Sequence, residues 1–271
     1  MSIILNGMTY ICNASTPLGI GYYGIVFQFY DQNRNTVVIK FLKDKKSYLN
    51  EEKFLQIIDM ARTSNYQDNF RHISFYLDSG ILMYNSTNKN FLTDRLRDFI
   101  NDKYTFMEYK YCIITKFVEG ISLSLCELSR LSRDVLCKLT RDMLVSLIIL
   151  ENLGISHHDI ALRNILYDKN GNNFILIDFG NCCFIENTKG FKHDWLCLND
   201  ILCKVSYRNF REYPIIFKGI KSIQLAFSMY LSKIALCSGR QITDPNMRAG
   251  SLPVAGSIGL FSLAKAEKII P

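Results

Sequence analysis

The order of elements legible in this sequence predicts an α+β chain of two unlike lobes, β-rich first and helical second, with a cleft between them. Three observations carry that expectation. Alternating apolar residues from Tyr10 to Phe29 and a β-branched run from Thr36 to Leu42 come first. One helical pattern follows at about 49–62, and longer helical patterns at about 122–128 and 132–153 open the second half. A single hairpin signal, Asp168-Lys169-Asn170-Gly171 between two apolar runs, interrupts the helices. The expected boundary lies near residue 118, which gives one domain of 271 residues with lobes at about 1–118 and 119–271.

Taken in order, Tyr10 to Phe29 carries glycines at its centre and suits two strands of a hairpin. The turn Asp31-Gln32-Asn33-Arg34-Asn35 leads into a strand that ends near Lys40. In the helix at 49–62, Phe54, Leu55, Ile57, Ile58 and Ala61 recur at helical spacing after Asn50-Glu51-Glu52, which puts a glutamate on the first turn within reach of Lys40. Segments 72–77 and 80–84 read as strands, 85–90 as an Asn-rich turn and 92–101 as a short helix. A strand at 111–117 precedes the two helical patterns, the second closed by Gly154. The hairpin pairs 164–167 with 174–177, a helical pattern runs from Asp194 to about 238 with a break near Pro214, and the tail from Gly239 reads as irregular coil.

Composition narrows the class. Hydrophobic residues at 48% and charged residues at 21% exclude a mostly disordered chain. The net charge of +7 suits an acidic partner, but the 32 Lys and Arg are scattered, so no specific nucleic-acid site is expected. Nine cysteines, an odd number, sit mostly in apolar segments such as Tyr111-Cys112-Ile113-Ile114 and read as small core residues in a reducing compartment. Cys182 and Cys183 are adjacent, without the spacing of zinc or redox motifs. No apolar run approaches 18 residues and Met1-Ser2-Ile3-Ile4-Leu5-Asn6 has no basic region, so neither signal peptide nor membrane span is expected and the location is cytoplasmic. The 15 Tyr and 18 Phe, with abundant Asn and Ile, hint at an AT-rich viral, parasitic or host-adapted bacterial source.

Four short segments carry chemistry. In Leu18-Gly19-Ile20-Gly21-Tyr22-Tyr23-Gly24-Ile25-Val26, the three glycines let backbone N–H groups approach phosphate oxygens, and Val26 projects onto one face of a base. A strand pattern, Ile25 to Phe29, follows these glycines, whereas a dinucleotide-binding turn would open a helix. Lys40 ends the apolar strand Val37-Val38-Ile39-Lys40 and needs a carboxylate partner, Glu51 by preference with Glu52 as second choice. In the loop after His157-His158, Asp159 can accept a hydroxyl proton while Asn164 offers an amide oxygen to a cation. Asp178, in Asp178-Phe179-Gly180, adds a carboxylate ligand, and these oxygens favour Mg²⁺ or Mn²⁺. Zinc has no support, because His157 and His158 find only His72 and His193 elsewhere in the chain.

With these segments in this order, residues 15–205 resemble a eukaryotic-type protein kinase. The resemblance implies a bilobal kinase-like fold with an ATP cleft and transfer of the γ-phosphate to a protein hydroxyl. It implies that Leu18, Gly19, Gly21, Gly24, Val26 and Val38 form the nucleotide roof with Lys40, which pairs the helix glutamate and the α- and β-phosphates. In Ile113-Ile114-Thr115-Lys116-Phe117-Val118-Glu119-Gly120, which resembles the strand and hinge behind the adenine, Thr115 takes the gatekeeper position and Lys116 and Val118 the hinge; Leu166 lies on the adenine floor. Asp159 becomes the catalytic base and Asn164 and Asp178 the metal ligands, while Asp194-Trp195 resembles the start of the helix whose aspartate braces the catalytic loop.

Three departures shape the expectation. The family's His-Arg-Asp stands here as His157-His158-Asp159, without the arginine that grips a phosphorylated loop. Only 16 positions separate Asp178 from Asp194, with no Ala-Pro-Glu between, so the activation segment is short and loop phosphorylation is not expected to control activity. Such economy is similar to that of small viral and bacterial effector kinases, which would act in a host-cell cytoplasm. Ile160-Ala161-Leu162-Arg163 lacks the lysine of the serine/threonine pattern, and Arg163 resembles the tyrosine-kinase form and could supply positive charge near the γ-phosphate. Pared-down kinases mostly take serine or threonine, which is the acceptor expected here, with tyrosine as the alternative. Small-molecule phosphotransferases share the fold and the Asp and Asn geometry, and a nucleotide-binding pseudokinase scaffold would have lost a ligand or the lysine, of which none is missing.

Overall fold

The computed structural model describes residues 1–12, 15–21, 24–64, 69–83, 85–91, 109–126, 131–168, 170–185, 193–198 and 200–202. The architecture is α+β and bilobal, with a β-rich N-terminal part and, among the described residues of the second part, a 20-residue helix packed on short sheets. Two compact units divide it: Met1–Glu119 with Ile177–Cys182, and Gly120–Leu176 with the described residues from Cys183 on. Residues 177–182 therefore join the first unit, although the chain reaches them only after much of the second.

The first unit holds β1 (Ser2–Leu5), β2 (Met8–Cys12), β3 (Gly19–Ile20), β4 (Gly24–Tyr30), β5 (Thr36–Leu42), β6 (Tyr76–Ile81) and β7 (Tyr111–Lys116). Their order is β1-β2-β4-β5-β7-β6, with β3 also on β4, and every pairing is antiparallel. Period-two alternation explains the core: Phe27, Phe29, Val37, Ile39 and Phe41 are buried, while Val26, Gln28, Val38 and Lys40 point the other way and are half-buried. Phe41 stacks on Phe91 at 5.1 Å, and Phe27 and Phe29 meet the same ring at 5.6 and 5.4 Å.

The β1–β2 hairpin is an addition that the sequence reading passed over. Asn6 and Gly7, at φ 52° and 78°, supply the left-handed pair that a tight hairpin needs. Asn6 also donates to the Ser79 carbonyl at 2.8 Å and to Asp78 at 3.1 Å, so the sheet curls from its first edge to its last strand. The two-stranded hairpin expected over Tyr10–Phe29 is present with its first arm divided, β2 pairing to the end of β4 and β3 to its start.

Helix α1 (Lys45–Ser64) begins four residues earlier than the expected residue 49. Asp44 explains the start, since its carboxylate accepts from the Ser47 N–H at 2.6 Å. Tyr48, Glu51, Phe54, Leu55, Ile58 and Arg62 form its buried stripe, so Glu51 lies on the second turn and not the first. Where two strands were expected at 72–77 and 80–84, a 3-10 turn at Asn69–His72 precedes the single bulged strand β6. The expected turn at 85–90 is helix α2 (Ser86–Phe91), held by the Asn88 side chain, which accepts from the Ile4 N–H and donates to the carbonyls of Ile4 and Met83. The expected helix at 92–101 lies outside the described residues.

In the second unit the described part of the segment expected as a helix at 122–128 is instead the end of β8 (Gly120–Ser122) and a 3-10 turn at Leu123–Leu125; residues 127 and 128 lie outside the described residues. The buried helix α3 (Arg133–Asn152) begins at the Ser132 cap and ends before Gly154, whose φ of 68° makes the exit turn. β9 (Ile155–Ser156) pairs with β12 (Cys183–Phe184), and β10 (Ile165–Asp168) lies between β11 (Asn173–Leu176) and β8. The buried Asp142 of α3 accepts from the Phe174 N–H at 3.0 Å and from Lys138, tying helix to hairpin. Residues 193–198 are helical; the expected helix beyond 202 and the tail from Gly239 lie outside the described residues. None of the described cysteines is in a disulfide; Cys112 and Cys182 are buried and five are half-buried, so core packing accounts fully for two. No helix among the described residues is long and apolar enough to cross a membrane.

Candidate active site

β5 turns Lys40 away from the phenylalanine core, onto the face that also carries Val38. Strand register sets Val26 opposite Lys40 and Thr115 opposite Val38, so these four residues share the half-buried face. Lys116 is exposed at the end of β7, Val118 is half-buried just past it, and Leu18 is exposed with its N–H on the Val26 carbonyl at 2.7 Å.

Lys40 Nζ donates to both Glu51 oxygens at 3.0 and 2.7 Å and to Asp178 Oδ1 at 2.7 Å. Burial alone would lower the ammonium's pKa, but attraction and hydrogen bonds from both carboxylates more than reverse this and hold it above the usual lysine range. Burial pushes the Glu51 carboxyl up, Lys40 works against that rise, and the nearby Asp178 charge adds to it. Glu52 is engaged elsewhere, accepting from Tyr48 OH at 2.8 Å and from Ser79 Oγ. Asp178 sits at φ 67°, a left-handed conformation that a non-glycine residue adopts at a cost. Gly180 lies close to the ion-paired side chains: a Cβ there would stand 3.3 Å from Glu51 Oε2 and 3.4 Å from Asp178 Oδ1, so the Glu51 carboxylate would have to shift by a few tenths of an ångström.

In the glycine segment, Gly21 N–H closes the loop on the Gly24 carbonyl at 2.9 Å. Gly24 is fixed by the protein itself, since an added Cβ would fall 2.5 Å from the Phe41 carbonyl. Gly19 and Gly21 differ. A Cβ on Gly19 would meet nothing within 4 Å, and on Gly21 only the Gly24 carbonyl at 3.9 Å. Neither packing nor a positive φ demands glycine at these two positions, which leaves open space where a side chain would stand.

The second unit carries its own set. Asp159 is ion-paired with Arg163, whose side chain is 63% exposed. Asn164, buried, donates its amide N–H groups to the Asp159 carbonyl and carboxylate at 2.9 and 3.0 Å, which turns its amide oxygen away from Asp159. The loop is braced from below. Asp194, buried, accepts from Ser156 Oγ at 2.8 Å and from the N–H groups of His157 and His158 at 2.6 and 2.8 Å. His158 stands at φ 60° and its ring stacks on His193 at 5.3 Å. Leu166 is half-buried on β10, opposite Ile175 and Ser122.

These residues fit a nucleotide phosphate and a hard cation. The room above Gly19 and Gly21 suits a phosphate brought close to backbone N–H groups. Within the first unit Asp178 presents a carboxylate, and within the second Asn164 presents an amide oxygen, each a hard donor of the type that Mg²⁺ or Mn²⁺ takes. Among the described residues no group of three or more His, Cys, Asp or Glu could hold a metal ion.

One contact escaped the sequence reading. Asn50, adjacent to Glu51, donates to the carbonyls of Gly180 and Cys182. An amide on the polar flank of an amphipathic helix looks like any solvated residue, and only the fold brings it to a loop 130 residues away.

No curated protein matches the sequence as a relative. The family model of the protein kinase domain matches residues 12–208, more than half of the chain and including every residue of the candidate site. The chain therefore belongs to the protein kinase family, whose general activity is ATP-dependent phosphotransfer.

Proposed function

We propose that this chain, as a single kinase domain over residues 1–271, transfers the γ-phosphate of ATP to a serine or threonine hydroxyl of a protein. The observation that carries the reading is Lys40 held by both Glu51 and Asp178. An ammonium has three donors, so Lys40 can keep Glu51 and turn others to the α- and β-phosphate oxygens. The N–H groups of the glycine segment approach the same phosphates, while Val26, Val38, Thr115 and Leu166, with Leu18, Lys116 and Val118, serve the base. Asp159 orients the acceptor hydroxyl and takes its proton, and Asn164 fixes that carboxylate through its amide. When bound by the oxygens of Asn164 and Asp178, Mg²⁺ or Mn²⁺ neutralises charge on the phosphates.

The short span from Asp178 to Asp194 and His158 in place of an arginine support a pared-down kinase of viral or effector type, at work in a cytoplasm without loop phosphorylation. A second reading, tyrosine as acceptor, is favoured by one observation: Arg163, in the tyrosine-type position, is ion-paired with Asp159. Incubating the purified chain with Mg-ATP and a reduced cell lysate, with Asp159→Ala as control, and mapping phosphopeptides decides between them. New phosphoserine or phosphothreonine is expected. Phosphotyrosine alone would overturn the acceptor. No protein phosphate beside rapid ATP use on an aminoglycoside or choline would move the chain to small-molecule substrates, and nucleotide binding without any transfer would make it a scaffold.

A further inference from the structure

Helix α1 touches the segment after Asp178 through two neighbouring side chains. Glu51 reaches it through Lys40, which bridges to Asp178. Asn50 reaches it directly, with its amide nitrogen donating to Gly180 O at 2.9 Å and Cys182 O at 3.0 Å. Those two carbonyls belong to one turn, closed by the Cys182 N–H on the Phe179 carbonyl at 3.2 Å. Immediately before that turn stands Asp178 at φ 67°, and such a conformation persists only where its surroundings over-determine it. An amide has two N–H donors, and Asn50 directs its nitrogen at both carbonyls of this turn.

We propose that Asn50 is a positioning residue: it clamps the turn 179–182 to α1, so that the Asp178 carboxylate and Glu51 are held as one body around Lys40. This rests on the phosphotransfer reading above. The clamp supplies from within the fold what a charged, phosphorylated loop supplies by pairing, a fixed relation between the glutamate helix and the cation-binding carboxylate. Without it, the two carbonyls lose the Asn50 amide, the turn opens locally, and Asp178 relaxes out of its left-handed conformation. Metal binding should suffer first, because Lys40 and Glu51 remain paired and the glycine segment is untouched.

Cys182 provides a reporter that needs neither ATP nor metal. Its thiol is in no disulfide and its side chain is only 3% exposed, while its carbonyl is one of the two that Asn50 holds. The experiment compares the full chain with Asn50→Ala and with Asn50→Asp, an isostere whose ionised carboxylate cannot donate. Alkylation of Cys182 by iodoacetamide, followed by peptide mass spectrometry without nucleotide, should be about tenfold faster in the Ala variant and at least as fast in the Asp variant. In turnover, the Mg²⁺ concentration for half-maximal rate should rise about tenfold in Asn50→Ala, while KM for ATP at saturating Mg²⁺ changes less than about twofold. Unchanged Cys182 alkylation in both variants would overturn the clamp. So would a lower kcat at an unchanged Mg²⁺ requirement, the signature of a general structural role. If the wild type shows no transfer while Cys182 still responds, the clamp stands and the phosphotransfer reading fails.

Discussion

Replacing Lys40 with Met should destabilise the first unit as well as disable it, and the size of the loss follows from the burial of its partners. Lys40, Glu51 and Asp178 have side-chain exposures of 16%, 5% and 40%, with nitrogen–oxygen distances of 2.7 Å to each carboxylate. Breaking a buried pair from one side costs about 3–5 kcal/mol, because the other charge is left without compensation. Asp178 can be solvated, whereas Glu51 cannot, so the expected loss at pH 7 is about 2–3 kcal/mol. Removing the stranded charge as well should recover much of it: Lys40→Met/Glu51→Leu should be more stable than Lys40→Met alone, with a coupling of about 1–2 kcal/mol. The pH sign follows from Glu51. With Lys40 gone, burial and Asp178 raise its folded pKa unopposed, so the stability it contributes is full below the unfolded value near about 4.3 and lost as pH rises through the folded one. The deficit of Lys40→Met relative to wild type should therefore shrink between pH 7 and pH 5. In the wild type the raised Lys40 contributes stability fully below about 10.4, lost only as pH rises through its folded value. Urea unfolding followed by circular dichroism measures the four chains of the cycle: wild type, Lys40→Met, Glu51→Leu and the double variant. A loss below about 0.5 kcal/mol, or additive single-mutant effects, would refute the reasoning.

Other outcomes test separate parts of the site. Gly24→Ala drives a Cβ to 2.5 Å from the Phe41 carbonyl and should lower the melting temperature, whereas Gly21→Ala should melt like wild type and bind ATP more weakly; the reverse pattern would contradict the assignment of open space to the phosphate. Asp194→Ala strands the N–H groups of His157 and His158 and the Ser156 hydroxyl and should cost about 3 kcal/mol or more, readable from the fluorescence of Trp195 next to it; a loss under about 1 kcal/mol would deny its bracing role. Exhaustive phosphatase treatment should leave turnover intact, since histidine stands at position 158 where the family's phosphate-gripping arginine would be; a large loss that maps to Thr188 would contradict this.

Much of the frame was legible because periodicity is strong where burial is one-sided. Val37, Ile39 and Phe41 alternate cleanly, and α3 shows its apolar stripe between the Ser132 cap and the Gly154 exit. The failures have physical causes. Ser86, Thr87, Asn88 and Asn90 are poor helix formers, yet α2 forms because Asn88 is bonded to β1 and Phe91 is buried among the phenylalanines, a tertiary gain that propensity does not see. The Asn6-Gly7 pair is a hairpin signal for β1–β2, but the strands on either side are only four and five residues long, which makes their alternation weak. At the site, Lys40, Asp159, Asn164 and Asp178 stand out by type and spacing. Asn50 does not, because its role depends on a turn far along the chain, and the choice of Glu51 over Glu52 rests on which side of α1 meets β5 and which meets Ser79.

The most direct measurement is transfer of labelled γ-phosphate from ATP by the purified chain across a Mg²⁺ titration, with Asp159→Ala and Asp178→Asn alongside. The account predicts turnover that disappears in excess chelator and returns with Mg²⁺ or Mn²⁺. It also predicts that Asp178→Asn loses most activity with its fold intact, and that Asp159→Ala binds nucleotide normally while kcat falls by about a hundredfold or more. Turnover unchanged in chelator, or comparable to wild type in both variants, would contradict it.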